Sequence, residues 1–399
     1  MKELRQLARR LDVTAVFLET GREIDEGQER ELRLADAELS LRLGDAVEAE
    51  VRLRELAQAA AEAGDPAMAA RAQLALALAA DERGDHAAAV ALFEQAFVGE
   101  RPSPLERVDV YATLGRAYGA LGQTEREIEL YRGCLEEAAR VAPGSTSAQT
   151  RYRILLSYAL SDGGQLAAAE EVLRDALPDA TADVDPYMQV RVYWSLARLS
   201  EMEGRSSAAL RFARRAIALL EATEDYVHRA RAHLLAAWIM NSAGDGAGAR
   251  GHLERAGKLL GPAAAAGDAA MLRVERARCE ALLGNGDNAV RLAREGIEMI
   301  GDQHDPLLGT AYWALAEGFA LVGDTNAASE AFVRAVELLS AHRRWREAAA
   351  ACRASATLLR SAGRLQEAAE TLEHATELAA HLHARDRRPA AQPRTGRQR

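Results

Sequence analysis

Nine glycines, Gly44, Gly84, Gly122, Gly164, Gly204, Gly244, Gly284, Gly323 and Gly363, punctuate the chain at intervals of 38 to 42 residues. Each closes one helical pattern and precedes another. A marker that recurs at this period signals a solenoid of repeated helical units rather than two or three separate globular domains. Glycine suits the position because the residue after a helix commonly needs φ > 0, which costs it nothing sterically.

The residues around the markers keep step with them. Five positions after the turn stand Ala49, Ala89, Ala169, Ala209, Ala249, Ala289, Ala328 and Ala368, with Glu127 the single exception. Seven positions before it stand Ala37, Ala77, Gly115, Ser157, Ala197, Ala237, Ala277, Ala316 and Ala356, all small. Two facing columns of small residues let paired helices approach closely. Leu53, Phe93, Tyr131, Leu173, Leu253, Phe332 and Leu372, nine after the turn, supply the bulk that fills the space between. Helix starts are written too. Asp65-Pro66, Ser103-Pro104, Asp185-Pro186 and Asp305-Pro306 precede their turns by 17 or 18 residues. A capping side chain followed by proline opens a helix well, since proline lacks an N–H the first turn would leave unpaired. The reading is an all-α chain: a right-handed superhelical solenoid of about nine helix-turn-helix repeats with a period near 40 residues.

Composition fits. Hydrophobic residues make up 49% of the chain but aromatics only 5%, the balance being alanine-rich, as closely packed helices require. Cys134, Cys279 and Cys352 form no C-x-x-C pair, which argues against a structural zinc or a disulfide framework and for a reducing compartment. The N-terminus lacks the apolar core of a signal peptide, and no uncharged apolar run reaches the roughly 20 residues that span a bilayer. A cytoplasmic protein without a membrane partner is expected. The net charge is −10, yet residues 385–399 hold six arginines against one aspartate, so the remainder is more acidic still. Such a body repels a nucleic-acid backbone.

The segment YATLGRAYGALGQTEREIELYRGCLEEA (Tyr111–Ala138) resembles a tetratricopeptide repeat, with Tyr111, Leu114, Gly115, Tyr118, Tyr131 and Cys134 at the motif positions. YWALAEGFALVGDTNAASEAFVRAVELL (Tyr312–Leu339) resembles it further through Tyr312, Leu315, Ala316, Phe319, Ala328, Phe332 and Ala335. The resemblance covers about residues 24–383, with a period longer than the family's roughly 34 residues. The unit near Gly284 departs from the pattern, with Arg273, Arg276 and Glu280 where apolar residues are usual.

The resemblance implies a concave surface lined by the first helix of each unit, where family members bind peptides or protein segments. Residues ten or six before the turn glycine then look into the groove: Trp194 and Trp313 at the former place, Tyr158, Arg198, Trp238 and Glu317 at the latter. Asn241 lies one helical step beyond Trp238. Arg151, Arg191 and Arg231 recur 13 before successive turns. Arginine forks onto carboxylates, asparagine pairs with a peptide amide, and tryptophan gives contact area at small entropic cost. Together they suit a peptide carrying anionic groups. The alternative stays open at each residue: the tryptophans as core, the arginines as a solvated or internally paired face.

Catalytic and metal chemistry has no signature here. There is no H-E-x-x-H or G-x-S-x-G, and His381 and His383, two apart, face different ways on a helix. GDGAGARG (Gly244–Gly251) lacks the strand and the G-K-[ST] ending of a phosphate loop and reads as an inter-helix turn. A non-catalytic protein without cofactor or metal is expected.

The first residues differ from the rest. Leu4, Leu7, Ala8 and Leu11 form an apolar helical stripe, Asp12-Val13 breaks it, and Thr14 can cap a second short helix closed by Gly21. This resembles the last two helices of an Xre-type helix-turn-helix domain. The resemblance implies the sensor and oligomerisation part of a bacterial transcriptional regulator, dimeric in one arrangement, with DNA contacted only through a head whose groove-reading helix this chain lacks. The alternative is a stand-alone scaffold joining protein partners, with this segment as a cap. The expected organisation is residues 1–22 as remnant or cap, 23–383 as the array and 384–399 as a disordered basic tail.

Overall fold

The structure is a computed structural model that describes residues 26–384, apart from 44, 100, 145–146, 183–185, 263, 302–304 and 306, together with Leu11, Phe17 and Leu18. Most of the expected N-terminal segment 1–22, the tail 385–399, Gly44, Asp185 and Pro306 lie outside the described residues.

The described residues form eighteen α-helices and no strand. They run in hairpins: α1 (Glu26–Arg42) with α2 (Ala46–Glu62), α3 (Pro66–Glu82) with α4 (His86–Gly99), α5 (Val108–Ala120) with α6 (Thr124–Val141), α7 (Ser147–Asp162) and α8 (Leu166–Ala182). Then come α9 (Pro186–Met202) with α10 (Ser206–Glu221), α11 (Tyr226–Ser242) with α12 (Gly246–Leu260), and α13 (Ala266–Leu282) with α14 (Gly286–Ile300). Last are α15 (Leu307–Val322) with α16 (Thr325–Ala341), and α17 (Trp345–Ser361) with α18 (Leu365–Ala384). The eight described marker glycines each join two helices of a hairpin, with φ between 72° and 85°.

Two compact units divide the chain, residues 1–159 and 160–399. Helices α1 to α6 of the first unit and α8 to α18 of the second each pack on the next, and first helices of successive hairpins also touch: α1 on α3 and α3 on α5 in the first unit, α9 on α11, α11 on α13 and α13 on α15 in the second. First helices therefore stand side by side, so the residues they turn away from the second helices share a face.

The small columns are buried as their spacing requires. Ala49, Ala89, Ala169, Ala209, Ala249, Ala289 and Ala328 are fully buried, as are Ala37, Ala77, Ala197, Ala237, Ala277 and Ala316 opposite them. At Gly115 the requirement is absolute, since a Cβ there would lie 2.1 Å from the Tyr131 hydroxyl. Gly246, first residue of α12, meets α13 in the same way: its Cβ would stand 2.8 Å from that of Leu282. The GDGAGARG segment is thus a turn and a close helix contact, with Asp245 accepting the Gly248 N–H at 2.8 Å.

Two expectations are corrected. Ser103-Pro104 opens a turn rather than a helix, and α5 begins only at Val108. The carbonyls of Pro102 and Pro104 instead accept the Tyr111 and Tyr152 hydroxyls at 2.6 and 2.8 Å, which ties the loop to the core. Leu372, on the last described helix, is 45% exposed rather than buried. Asp65-Pro66 behaves as expected, Asp65 accepting the Met68 N–H at 3.0 Å.

Candidate functional site

In the second unit buried charged and polar side chains gather on the first helices. At their centre is Arg278 of α13, only 8% exposed. Its Nη1 donates to both carboxylate oxygens of Glu275 at 3.1 Å, one helical turn away, and its Nη2 donates to Ser242 Oγ of α11 at 3.3 Å. The guanidinium also lies over the Trp313 ring, 5.9 Å from its centre. Glu275 is wholly buried. Asn241 donates through Nδ2 to its Oε2 at 2.8 Å and to its main-chain carbonyl at 2.9 Å, which links α11 to α13.

Carboxylates gather around this arginine. Burial works against the Arg278 charge, but Glu275, Glu317 and Glu347 outweigh it and keep the guanidinium protonated. Burial pushes the Glu317 carboxyl above its ordinary range, partly offset by Arg278 and by the nearby Trp313 indole. Glu201 of α9, 4% exposed, is likewise pushed up by burial; a Ser206 hydrogen bond, Arg346 and Arg278 oppose the rise. Asp162 is raised by burial against the pull of Arg198 and Arg343.

Two buried acceptors in this neighbourhood have no hydrogen-bond partner, Glu201 Oε2 and Asn241 Oδ1, while the Trp313 indole is turned toward the Glu317 carboxylate. Leaving one such group unpaired costs about 1–3 kcal/mol, and the folded chain bears that twice in one place. Two acceptors are what peptide amides or a polar side chain can satisfy.

The sequence-proposed residues divide. Asn241, Trp313 and Glu317 meet around Arg278 and Glu275. Arg198 faces Asp162. Trp194 and Trp238 are half-buried against the apolar cluster of Ala197, Ile217, Leu235 and Ile239, so part of each ring is core. Arg231 is committed to Asp268 at the start of α13 by a two-pronged ion pair at 2.8 and 2.9 Å. Arg191 is exposed. Arg151 and Tyr158 belong to the first unit, half-buried, with Arg151 acting on the buried Tyr152 hydroxyl. Glu201, Glu275, Arg278 and Arg346 were not singled out by sequence. Arg278 nevertheless stands six before its turn glycine, as Trp238 and Glu317 do, and Glu201 three before, as Asn241 does.

The unusual residues of the Gly284 unit find polar partners: Arg273 pairs with Glu295 of the same hairpin at 3.0 Å, and Arg276 donates to the Leu253 carbonyl of the preceding hairpin at 3.5 Å. His381 stacks on Trp345, ring centres 4.5 Å apart. Among the described residues no three His, Cys, Asp or Glu side chains are placed to share a metal ion, and no helix is long and apolar enough to cross a membrane.

These features define an all-helical repeat protein with a tetratricopeptide-like solenoid fold. The family model described as Tetratricopeptide repeat matches residues 108–140, which lie within α5 and α6. No curated protein sequence matches the chain. Among solved structures, a Rap protein complexed with Competence and Sporulation Factor is similar over 90% of this chain and 99% of its own, at 15% identity and a TM-score of 0.61. The apo quorum sensor NprR from B. thuringiensis is similar over 84% of this chain and 94% of its own, at 13% identity and a TM-score of 0.64. A tetratricopeptide repeat protein from Parabacteroides merdae covers 73% of this chain and 99% of its own, at 16% identity and a TM-score of 0.56. At such identities the likeness is one of fold.

Proposed function

We propose that the polar interior of the second unit binds a peptide or an extended protein segment, and that the protein acts by binding rather than by catalysis. The observation that carries this reading is the pair of unpaired buried acceptors, Glu201 Oε2 and Asn241 Oδ1, around a buried arginine. A chain seldom keeps unsatisfied groups together without a partner for them. Peptide amides can donate to Asn241 and Glu201, and the Trp313 N–H, now turned toward Glu317, can pass to a peptide carbonyl. Trp194 and Trp238 offer half-exposed ring area beside them.

The finer reading is the sensor part of a bacterial transcriptional regulator. It is supported by fold likeness to a quorum sensor and to a Rap protein solved with Competence and Sporulation Factor. The test is capture from a synthetic library of short peptides, followed by titration of the retained peptides against tryptophan fluorescence. Asn241→Ala and Trp313→Phe are expected to weaken binding about tenfold or more each, one buried hydrogen bond being worth about 1–3 kcal/mol. Peptides held equally by both variants and the parent chain would remove the interior as the site.

A further inference from the structure

One contact breaks the pattern of neighbour-to-neighbour packing. Arg346, near the start of α17, donates through Nη1 to the Glu201 carbonyl at the end of α9, at 2.5 Å and across 145 residues of sequence. The guanidinium lies against Gly204, where a Cβ would stand 2.6 Å from Nη2 and 2.9 Å from Cζ. Among the described residues, the extended helix-packing faces of the second unit lie between next and next-but-one helices, and α9 and α17 share no such extended face. The Arg346 contact thus joins two hairpins that are not packing neighbours in the array.

The surroundings favour the contact electrostatically. The Glu201 carboxyl is attracted to Arg346. Arg343, in the turn just before α17, acts in the same sense on Asp162 at the end of α7. Arg343 is also the non-glycine among the described residues that holds a positive φ, 56°, so the turn presenting these arginines is fixed in a conformation that costs energy. The charged interior around Arg278 belongs to α13, between the two hairpins so joined.

We propose that Arg346 is a clasp: it holds the last hairpin of the second unit against the first and so sets the width of the interior between them. This rests on the binding reading above, because it makes clasp release the step that widens a ligand site. A few side-chain contacts without an extended packed face behind them suit a two-position joint, whereas the packed hairpins on either side move as rigid bodies. Gly204 takes part by its lack of a side chain, a role separate from its positive φ.

Spin labels placed at Arg211→Cys on α10 and Glu373→Cys on α18 read the distance between the hairpins in the full chain. Both positions are exposed, and the three native cysteines are buried, so labelling is selective. The parent chain should give one narrow distance distribution. Arg346→Ala should broaden it and lengthen its maximum by more than about 2 Å, the scale of sliding between packed helices. Arg346→Lys, which keeps a donor but loses the flat guanidinium on Gly204, should fall between, and Arg353→Ala, exposed on the same helix, should match the parent. A distribution unchanged in folded Arg346→Ala overturns the clasp. If that variant loses its helical circular dichroism, the parent at about 1 M salt decides: broadening supports an electrostatic clasp, and an unchanged distribution overturns it. No ligand enters these measurements, so the clasp and the peptide reading fail separately.

Discussion

The tyrosine cluster of the first unit and the arginine cluster of the second are both buried, with opposite chemistry. In the first unit Tyr131 packs over Gly115, and Tyr111 and Tyr152 meet edge to face with ring centres 6.5 Å apart. Each hydroxyl is satisfied by a carbonyl, that of Ala112, Pro102 or Pro104. In the second unit Arg278 and Glu275 satisfy each other, while Glu201 and Asn241 each keep one buried acceptor unpaired. One cluster is closed by its own hydrogen bonds and the other is not, and that difference is what the proposed binding reading rests on.

The largest effects separate these roles. Tyr131→Ala removes a ring from a fully packed site and is expected to cost about 3–5 kcal/mol. Arg278→Met leaves Glu275 charged and buried, at a similar cost of about 3–5 kcal/mol. The two should diverge on repair. Adding Glu275→Leu to Arg278→Met should restore most of the stability, since a buried ion pair replaced by well-packed apolar groups is often neutral. Urea unfolding of the full chain measures all three. If the double variant is as unstable as Arg278→Met alone, the pair is part of the scaffold and the comparison collapses.

The array itself was legible in the sequence because alternate close and bulky packing leaves a residue-level mark. The alanine columns are buried where spacing placed them. Local signals misled where a tertiary contact overrode them, as at Ser103-Pro104, whose carbonyl neighbours are recruited by tyrosines up to 48 residues away. The candidate site was legible in part. Asn241, Trp313 and Glu317 were found from register and residue type, but Arg278 and Glu275 were passed over because a charged repeat position reads as solvent-facing until its burial is known. Arg231 shows the converse: its partner Asp268 lies 37 residues on, and nothing local announces it.

Protonation gives a second contrast, of opposite sign in the two units. Asp109 of the first unit is held below its ordinary value: burial opposes this, but the Arg107 hydrogen bond and charge prevail. Asp109→Asn should therefore cost stability at neutral pH, and the cost should fade as pH falls through the lowered value. Glu317 is held above its ordinary value by burial. Its folded form takes up a proton before the unfolded chain does, so the parent gains stability as pH falls through the raised value. Glu317→Gln should then be more stable than the parent at neutral pH, with the gap closing toward about pH 4.3. The comparison must be variant against parent. His233, lowered to about 4 by burial and by the neighbouring His252, loses stability as pH falls across the same window. A Glu317→Gln variant less stable than the parent at neutral pH would mean that Arg278 needs that charge more than burial resists it.

The smallest expected effect bears on the arginine column. Arg231 and Asp268 are bonded at two points, yet the arginine side chain is 42% exposed, and pairs of that kind contribute about 0.2–1 kcal/mol. Arg231→Gln should cost that much in urea unfolding, and Arg191→Gln, exposed, should cost less. Neither should alter the capture of peptides that Asn241→Ala weakens, because Arg231 already spends its fork on the chain's own carboxylate. If Arg231→Gln releases such peptides while barely changing stability, the ligand competes with Asp268 for that guanidinium. The binding surface would then extend along α11 to its first turns, and the contrast between a satisfied and an unsatisfied interior would hold only for the centre of the second unit.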